Sequence, residues 1–186
     1  MSKIYIIHPL ALHAPRKNLD ASEPGLYIQH PADTPFACGT YLGCTMTIDL
    51  NDIRKIFSRD LFAAEAGIVI DEVREDGVTC SMAITEKHLN AAGIVQGGAI
   101  FTLADMTFGV HSNLDRVRGG TIGLTVGQSC SISYLGIAKG NRLTAASVLL
   151  SKGKKISVYR VTIGDDLGNP VADMVGNAYT FDADKG

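Results

Sequence analysis

The sequence predicts an α+β domain in which a curved antiparallel β-sheet wraps around one long central helix. Two patterns predict this class: one long helical segment over 97–113, and about six alternating apolar runs that are separated by short turns. Because only one long helix is available to cover the apolar face of the sheet, the sheet must curve around that helix to bury the face.

Two regions of different character divide the chain. Five of the six prolines lie within residues 1–35, where no hydrophobic periodicity is present, so residues 1–45 are expected to form an irregular N-terminal extension. Alternating apolar runs begin near Met46, and residues 46–186 are expected to form the folded domain. A further hypothesis is that Met46 is the natural first residue.

The elements of the domain follow in order along the sequence. A short helix is expected from a cap at Asn51 or Asp52 to about Arg59, with a second helical stretch over 62–66. The long helix follows a hairpin, and the strands are expected over 68–73, 78–85, 121–134, 142–150, 156–163 and 171–181. Because the turns between successive strands are short, we expect those strands to pair antiparallel.

Charge and hydropathy exclude several classes of function. A formal net charge of -2 offers no basic surface, so no nucleic-acid partner is expected. No segment reaches the roughly 18 apolar residues of a membrane span, which predicts a cytoplasmic protein with no membrane partner. The four cysteines show neither CxxC spacing nor a matching histidine pair, so we expect reduced thiols and no metal site at Cys38, Cys44, Cys80 and Cys130.

The long helix contains one unusual carboxylate. Asp105 is the only formally charged residue between Lys87 and Asp115. On a helical wheel, Ile100, Leu103, Thr107 and Val110 lie opposite Asp105 and are expected to face the sheet, whereas Gly98, Phe101, Thr102, Phe108, Gly109 and Ser112 share its face. We expect a second subunit to cover that face, so that the helix is buried nearly all round. Asp105 is then either catalytic or a polar contact across a subunit seam.

A glycine pair opens the same helix. Backbone N–H groups at a helix start have no intrahelical partner, and the helix dipole favours negative charge there. Gly97 and Gly98 would let a substrate carbonyl approach those N–H groups closely. Asp105 lies two turns further along on nearly the same face, so a carboxylate and an oxyanion site are expected to converge on one cleft. The alternative is that the pair only allows a tight turn or close packing.

Segment 88–105, HLNAAGIVQGGAIFTLAD, resembles the signature of PaaI-like thioesterases, HxNxxGxxHGG followed by LAD. The resemblance covers about 61–181 and none of the N-terminal extension. Members of this family have the hotdog fold, which is the single-helix arrangement predicted above. The resemblance implies an acyl-CoA thioesterase with CoA as part of its substrate and no other cofactor, assembled as a homodimer and often as a homotetramer, with each active site shared across a dimer seam.

The resemblance also implies roles for individual residues. Asp105 matches the catalytic carboxylate, which acts as general base on water or as nucleophile toward the thioester carbonyl. Gly97 matches the residue whose backbone N–H polarises that carbonyl, and Asn90 matches a polar residue that orients water or thioester. Gln96 stands where the family usually has histidine; glutamine still forms hydrogen bonds but cannot become a cation.

The remaining candidate site residues are expected to position the attacking water or to bind the substrate. Gly127 occupies the position at which some relatives place a water-holding Ser or Thr, and Thr125 or Ser129 is the candidate substitute. Phe101, Phe108 and Met106 suggest an apolar acyl pocket, which aryl-acetyl, benzoyl and medium-chain groups would all fit, and Gly98 is a further candidate for substrate binding. The candidate contacts to the CoA phosphates are Lys152, Lys154 and Lys155, with a solvated hairpin turn as the alternative.

Two other functions are open to a hotdog protein with these residues. A dehydratase or hydratase needs a catalytic histidine paired with a carboxylate, but His88 lies outside the expected spacing and His111 points about 120° away from Asp105 on the helix. A non-catalytic acyl-CoA-binding protein would use Asp105 only to shape its pocket.

Overall fold

The computed structural model describes residues 49–118 and 125–182. Within these ranges the α-helices are Leu50–Phe57 (α1), Leu61–Glu65 (α2) and Gly97–Arg118 (α3). The strands are Ile68–Val73 (β1), Gly77–Ala83 (β2), Thr125–Tyr134 (β3), Arg142–Lys152 (β4), Ile156–Asp165 (β5) and Pro170–Thr180 (β6). The predicted extension, with Cys38 and Cys44, lies outside the described residues, and the domain boundary at residue 46 stays a prediction.

The six strands form one antiparallel sheet in the order β1-β2-β4-β5-β6-β3. The predicted pairing of successive strands is confirmed for β1–β2, β4–β5 and β5–β6. It is wrong for β3 and β4, because β3 pairs with β6 at the edge of the sheet, with Tyr134 opposite Ala172. The linking segment 135–141 reaches up to about 23 Å when extended, which is enough to cross the roughly 14 Å between strands three places apart.

Helix α3 contacts every strand of the sheet, which one helix can do only if the sheet curves around it. Its Leu103 and Val110 are completely buried and Ile100 is nearly so. They pack in one hydrophobic core with sheet residues that include Met82, Leu143, Val161 and Met174. The predicted hotdog architecture is therefore confirmed. Over 49–118 and 125–182, no helix is both long enough and apolar enough to cross a bilayer.

Two helix ends differ from the sequence-based expectation. Asp49, and not Asn51 or Asp52, caps α1, because its side chain accepts the backbone N–H of Asn51 at 3.3 Å. Helix α3 continues five residues beyond the expected end at Asn113. The charges that resume at Asp115 indicated an end, but Leu114 and Val117 extend the buried stripe by one more turn.

The placement of Phe108 on the Asp105 face is wrong. Its side chain is 1% exposed and forms an edge-to-face contact with Tyr159, with ring centroids 5.5 Å apart. Gly127 and Gly176 make room for the ring, since a Cβ at either position would lie 3.2 Å from it. The rest of the Asp105 face is partly exposed in a single chain, so the expected burial all round the helix is not provided by this chain's own residues.

Candidate active site

The first turn of α3 is capped by Gln96. Its side-chain Oε1 accepts the backbone N–H of Ala99 at 3.0 Å, and its carbonyl accepts from Ala99 and Ile100. A Cβ at Gly98 would lie 2.5 Å from that Oε1, so this cap requires a residue without a side chain there. The N–H groups of Gly97 and Gly98 donate to no acceptor in the described part of the chain, which leaves two donors at the positive end of the helix dipole.

A cavity of about 440 Å³ opens beside this helix end. Asn90 and Gly97 line it, and Tyr134 and the segment 135–138 contribute the rest of its wall. The remaining lining residues, Ile94, Val95 and Ile100, are apolar. The cavity thus places a backbone oxyanion donor and a side-chain amide in a largely apolar environment, where hydrogen bonds to developing charge are strong.

Asn90 is held by the loop that it helps to form. Its Oδ1 accepts the N–H of Ala92 at 2.9 Å and that of Ile94 at 3.4 Å. With the oxygen engaged, the Nδ2 group is the part of the side chain that can donate to a ligand. Asn90 is therefore a fixed donor at the cavity rather than a mobile surface side chain.

A second cavity, of about 590 Å³, lies beside Gln96. Gln96, Gly98 and Phe101 line it together with Phe62 of α2. The predicted residues are thereby divided: Gly97 and Asn90 line the first cavity, and Gln96, Gly98 and Phe101 line the second. Phe108 lines neither.

Asp105 lies on the exposed face of α3. Burial of its carboxyl, together with the negative charge of Asp60, raises its pKa. Burial raises the pKa of the Cys130 thiol on β3, and the negative charge of nearby Asp105 is the second cause of that rise. A raised pKa makes the ionised carboxylate a stronger base, as a general base requires.

The predicted convergence of Asp105 and Gly97 on one cleft does not occur within a single chain. Eight residues of α-helix separate them, which is about 12 Å along the axis. Asp105 is absent from the lining of both cavities. One thioester carbon cannot contact both groups of one protomer at reacting distance.

The wall of the first cavity is fixed by contacts that the sequence did not indicate. Tyr134 donates its hydroxyl to the Gly97 carbonyl at 3.0 Å. Asp165 accepts the N–H groups of Lys139 and Gly140 at 2.8 and 3.2 Å, and these bonds, the first of them above all, lower its pKa. Asp166 accepts the N–H of Asn141 at 2.9 Å. The position of Tyr134 at the end of a predicted strand was the only signal that the sequence offered for it.

The three lysines lie on and beside the β4–β5 turn. Lys152 pairs with Asp115 at 2.5 Å and Lys155 with Asp182 at 2.6 Å. Lys154 forms no ion pair with any residue of 49–118 or 125–182. It is the lysine of this turn whose charge remains available to an anionic ligand.

Neither histidine of the described chain is placed for acid–base catalysis. His88 accepts the N–H of Thr85 through Nδ1 at 3.0 Å and contacts the Ala66 carbonyl through Nε2 at 3.0 Å. His111 lies in the core, 2.8 Å from the Ser147 hydroxyl, and burial lowers its pKa. These contacts occupy both imidazoles in the fold and offer no support for a dehydratase.

The two candidate water-positioning residues are likewise engaged. Thr125 is buried and its hydroxyl lies 3.0 Å from that of Thr180. Ser129 accepts from the Asn177 amide at 2.9 Å. A bulge between Gly127 and Ser129 shifts the register of β3 at this point, and the choice between the two residues stays open.

Comparison with known proteins shows similarity to esterase-named and thioesterase-named proteins. No protein-family model matches the chain. A protein of Archaeoglobus fulgidus that carries an esterase name is 28% identical over 152 residues, covering 81% of this chain and 94% of its own. The acyl-coenzyme A thioesterase PaaI of Escherichia coli K12 is 29% identical over 126 residues, covering 67% and 85%.

Solved structures agree with the sequence relatives. The E. coli PaaI protein of the phenylacetic acid degradation operon superposes with a TM-score of 0.63 at 26% identity, covering 71% of this chain and 92% of its own. A thioesterase-named protein of Streptococcus pneumoniae TIGR4, solved with coenzyme A, gives 0.58 at 26% identity, covering 68% and 95%. The fold and the site define a hotdog-fold protein with a thioesterase-type helix end. In sequence and in structure the chain is similar to the PaaI-like thioesterases, a family of thioester hydrolases.

Proposed function

We propose that this protein hydrolyses an acyl-CoA thioester to a free acid and CoA. The observation that carries the proposal is the N-terminus of α3, where the Gly97 N–H and Asn90 meet at one largely apolar cavity. Such a helix end stabilises the oxyanion that forms when water attacks a thioester carbonyl. The PaaI relative is named as an acyl-CoA thioesterase, which supports the same substrate class.

The proposed chemistry uses two groups. The Gly97 N–H donates to the thioester oxygen, and Asp105 acts at the carbonyl carbon. As a general base, Asp105 takes a proton from water while the water oxygen attacks; the tetrahedral intermediate then expels the CoA thiolate, which receives that proton. As a nucleophile, Asp105 itself attacks the carbonyl carbon and displaces the CoA thiolate, which forms an acyl anhydride; water then hydrolyses the anhydride to the free acid and the Asp105 carboxylate, and the thiolate takes up the proton that is released. Both routes remain open.

The 12 Å between Asp105 and Gly97 supports a shared site. We propose a homodimer in which Asp105 of one protomer completes the cavity at Gly97 of its partner, with dimers paired into a homotetramer. The partly exposed Asp105 face and the exposed edge strand β3 are the surfaces available for that contact.

The remaining residues have proposed roles in binding. Gln96 caps α3 through Oε1 and can donate to the thioester region through its amide nitrogen. Gly98 and Phe101 line the 590 Å³ cavity, which we propose for part of the acyl-CoA. Phe108 would influence substrate binding only indirectly, because its ring lies in the core. Lys154 is the proposed first contact to the CoA phosphates, and Lys152 and Lys155 would exchange their carboxylate partners for phosphate.

No metal or separate cofactor enters the proposed reaction. Among the described residues, no group of three His, Cys, Asp or Glu side chains is arranged to hold an ion. The S. pneumoniae structure contains coenzyme A, which supports CoA as part of the substrate here. The proposed location is the cytoplasm.

One observation favours a second candidate. Asp105 lines neither cavity of the single chain, as expected if the protein binds acyl-CoA without hydrolysing it. Release of free thiol from a panel of acyl-CoAs, followed with a thiol reagent, separates the two functions. Thiol release above the uncatalysed rate supports the thioesterase, whereas tight binding of acyl-CoA without thiol release supports the binding protein.

A further inference from the structure

Tyr134, the last residue of β3, links the cavity wall to the catalytic end of the helix. Its hydroxyl donates to the Gly97 carbonyl at 3.0 Å, across 37 residues of sequence. Its ring lies beside the same glycine, because a Cβ added at Gly97 would be 3.2 Å from both the ring and the hydroxyl oxygen. Gly97 and Tyr134 also line the 440 Å³ cavity together.

We propose that Tyr134 is a positioning residue for the oxyanion site at the start of α3. The inference rests on the proposed thioesterase function. The Gly97 carbonyl belongs to the same peptide as the Gly98 N–H, so the tyrosine hydroxyl holds the first peptide of the helix in a fixed orientation. Without that contact, two adjacent glycines at a helix end would be the part of the site most free to move.

The hydrogen bond has an electronic consequence as well as a geometric one. A donor on a carbonyl polarises the peptide, and the N–H of that peptide becomes a stronger donor. The polarised N–H is that of Gly98, which donates to no described acceptor and neighbours the Gly97 N–H. Tyr134 thus strengthens the Gly98 N–H and fixes the peptide that directly follows the Gly97 N–H, the proposed oxyanion donor.

The position of Tyr134 is itself fixed by its surroundings. Tyr134 pairs with Ala172 of β6, and the next two residues, Leu135 and Gly136, both donate to the Val171 carbonyl, at 2.8 and 3.3 Å. The side chain nevertheless remains 52% exposed. Because the hydroxyl is exposed, water can satisfy the hydrogen-bonding groups there, and its contact with Gly97 adds little to the stability of the fold. Its removal should therefore change the geometry of the site more than the stability of the fold.

The variant Tyr134→Phe tests the proposal, because it removes only the hydroxyl. A contact that acts through the oxyanion donors matters most in the transition state, so kcat should fall about tenfold while KM stays within about twofold. The melting temperature should remain close to that of the wild type. Tyr179→Phe, at the opposite end of the neighbouring strand, is the matched control for loss of a tyrosine hydroxyl and should leave kcat unchanged; KM is not part of this control, because the Tyr179 ring lies 5.8 Å from Nζ of Lys155, a proposed CoA contact.

A second readout does not depend on activity. The backbone amide resonances of Gly97 and Gly98 should shift in Tyr134→Phe, whereas the amide of Gly109, three turns along α3, should not. Unchanged resonances at both glycines, or a kcat within about twofold of the wild type, would overturn the proposal. If the wild-type protein hydrolyses no acyl-CoA, the proposed function fails, and the resonances alone decide whether Tyr134 fixes the first peptide of α3.

Discussion

At the scale of single residues, Asp105 combines an unfavourable environment with a position on an accessible helix face. Burial, followed by the charge of Asp60, raises its pKa. A carboxyl with a higher pKa in the folded state than in the unfolded state holds its proton more tightly when folded. Its ionisation therefore lowers stability as the pH rises from about 3.9 through the folded pKa.

Asp105→Asn should consequently stabilise the protein at neutral pH. We expect the variant to melt at the wild-type temperature near pH 4 and a few degrees higher at pH 7, a small gain because solvent screens a partly exposed carboxylate. Thermal melts across that pH range measure the difference. Asp173→Asn is the control, because Asp173 pairs with Arg160 at 2.6 Å and its loss should not stabilise. A lower melting temperature for Asp105→Asn at pH 7 would instead indicate a structural contact across a seam.

Some of these residues could be predicted from the sequence and others could not, for a physical reason. Asp105, Asn90 and the glycine pair lie in one contiguous segment whose pattern can be recognised without the fold. Tyr134 could not be assigned, because its contact with Gly97 exists only once β3 pairs with β6 at the sheet edge. The core position of Phe108 depended in the same way on two glycines of the sheet, Gly127 and Gly176.

At the scale of elements, the β5–β6 turn holds the segment that forms the cavity wall. Asp165 and Asp166 together accept four backbone N–H groups of residues 139–142. A Cβ at Gly140 would lie 1.6 Å from the Asp166 Oδ1, so a side chain at that position would displace the carboxylate. These hydrogen bonds explain how segment 135–141, which has no regular secondary structure, forms a defined cavity wall.

Asp166→Ala should loosen that wall. We expect a loss of about 1 kcal/mol of stability, the net value of a typical hydrogen bond, and faster amide hydrogen exchange over residues 135–141. Asp166→Asn keeps an acceptor oxygen and should stay near the wild type. Gly140→Ala displaces the same carboxylate, so its effect and that of Asp166→Ala should be less than additive in the double variant. Full additivity would show that the two residues do not act through one contact.

Most of the elements could be predicted from the sequence, and the two exceptions have different causes. Local patterns located every described strand to within a few residues, because alternation and turn residues act over short range. The partner of β3 was mispredicted because pairing is a long-range property and segment 135–141 is long enough to cross the sheet. The extra turn of α3 was missed because charged residues and a buried stripe overlap there.

At the scale of the whole molecule, the domain over 46–186 should fold and dimerise without the extension. All of the described core and the entire site lie within it, and termini outside a core tolerate removal. Light scattering on the protein truncated before Met46 should give the same oligomeric mass as the full chain. An insoluble or monomeric product would show that the extension contributes to folding or assembly.

A shared site makes a second prediction at this scale. Asp105→Asn and Asn90→Asp, the latter keeping the oxygen that holds its loop, should each be nearly inactive alone. Refolding them together in equal amounts gives half heterodimers, and each heterodimer has one intact site, so activity should return to about a quarter of the wild-type value. If mass spectrometry finds heterodimers but activity does not recover, the two residues act within one chain.

The turnover of Asp105→Asn tests the central claim most directly. The substitution keeps the shape of the side chain while removing its basicity and nucleophilicity. With an acyl-CoA that the wild-type protein hydrolyses, kcat should fall by about 10² to 10⁴, the scale for loss of a general base, while a non-hydrolysable acyl-CoA analogue binds as before. A near-normal kcat in an intact oligomer would contradict the account.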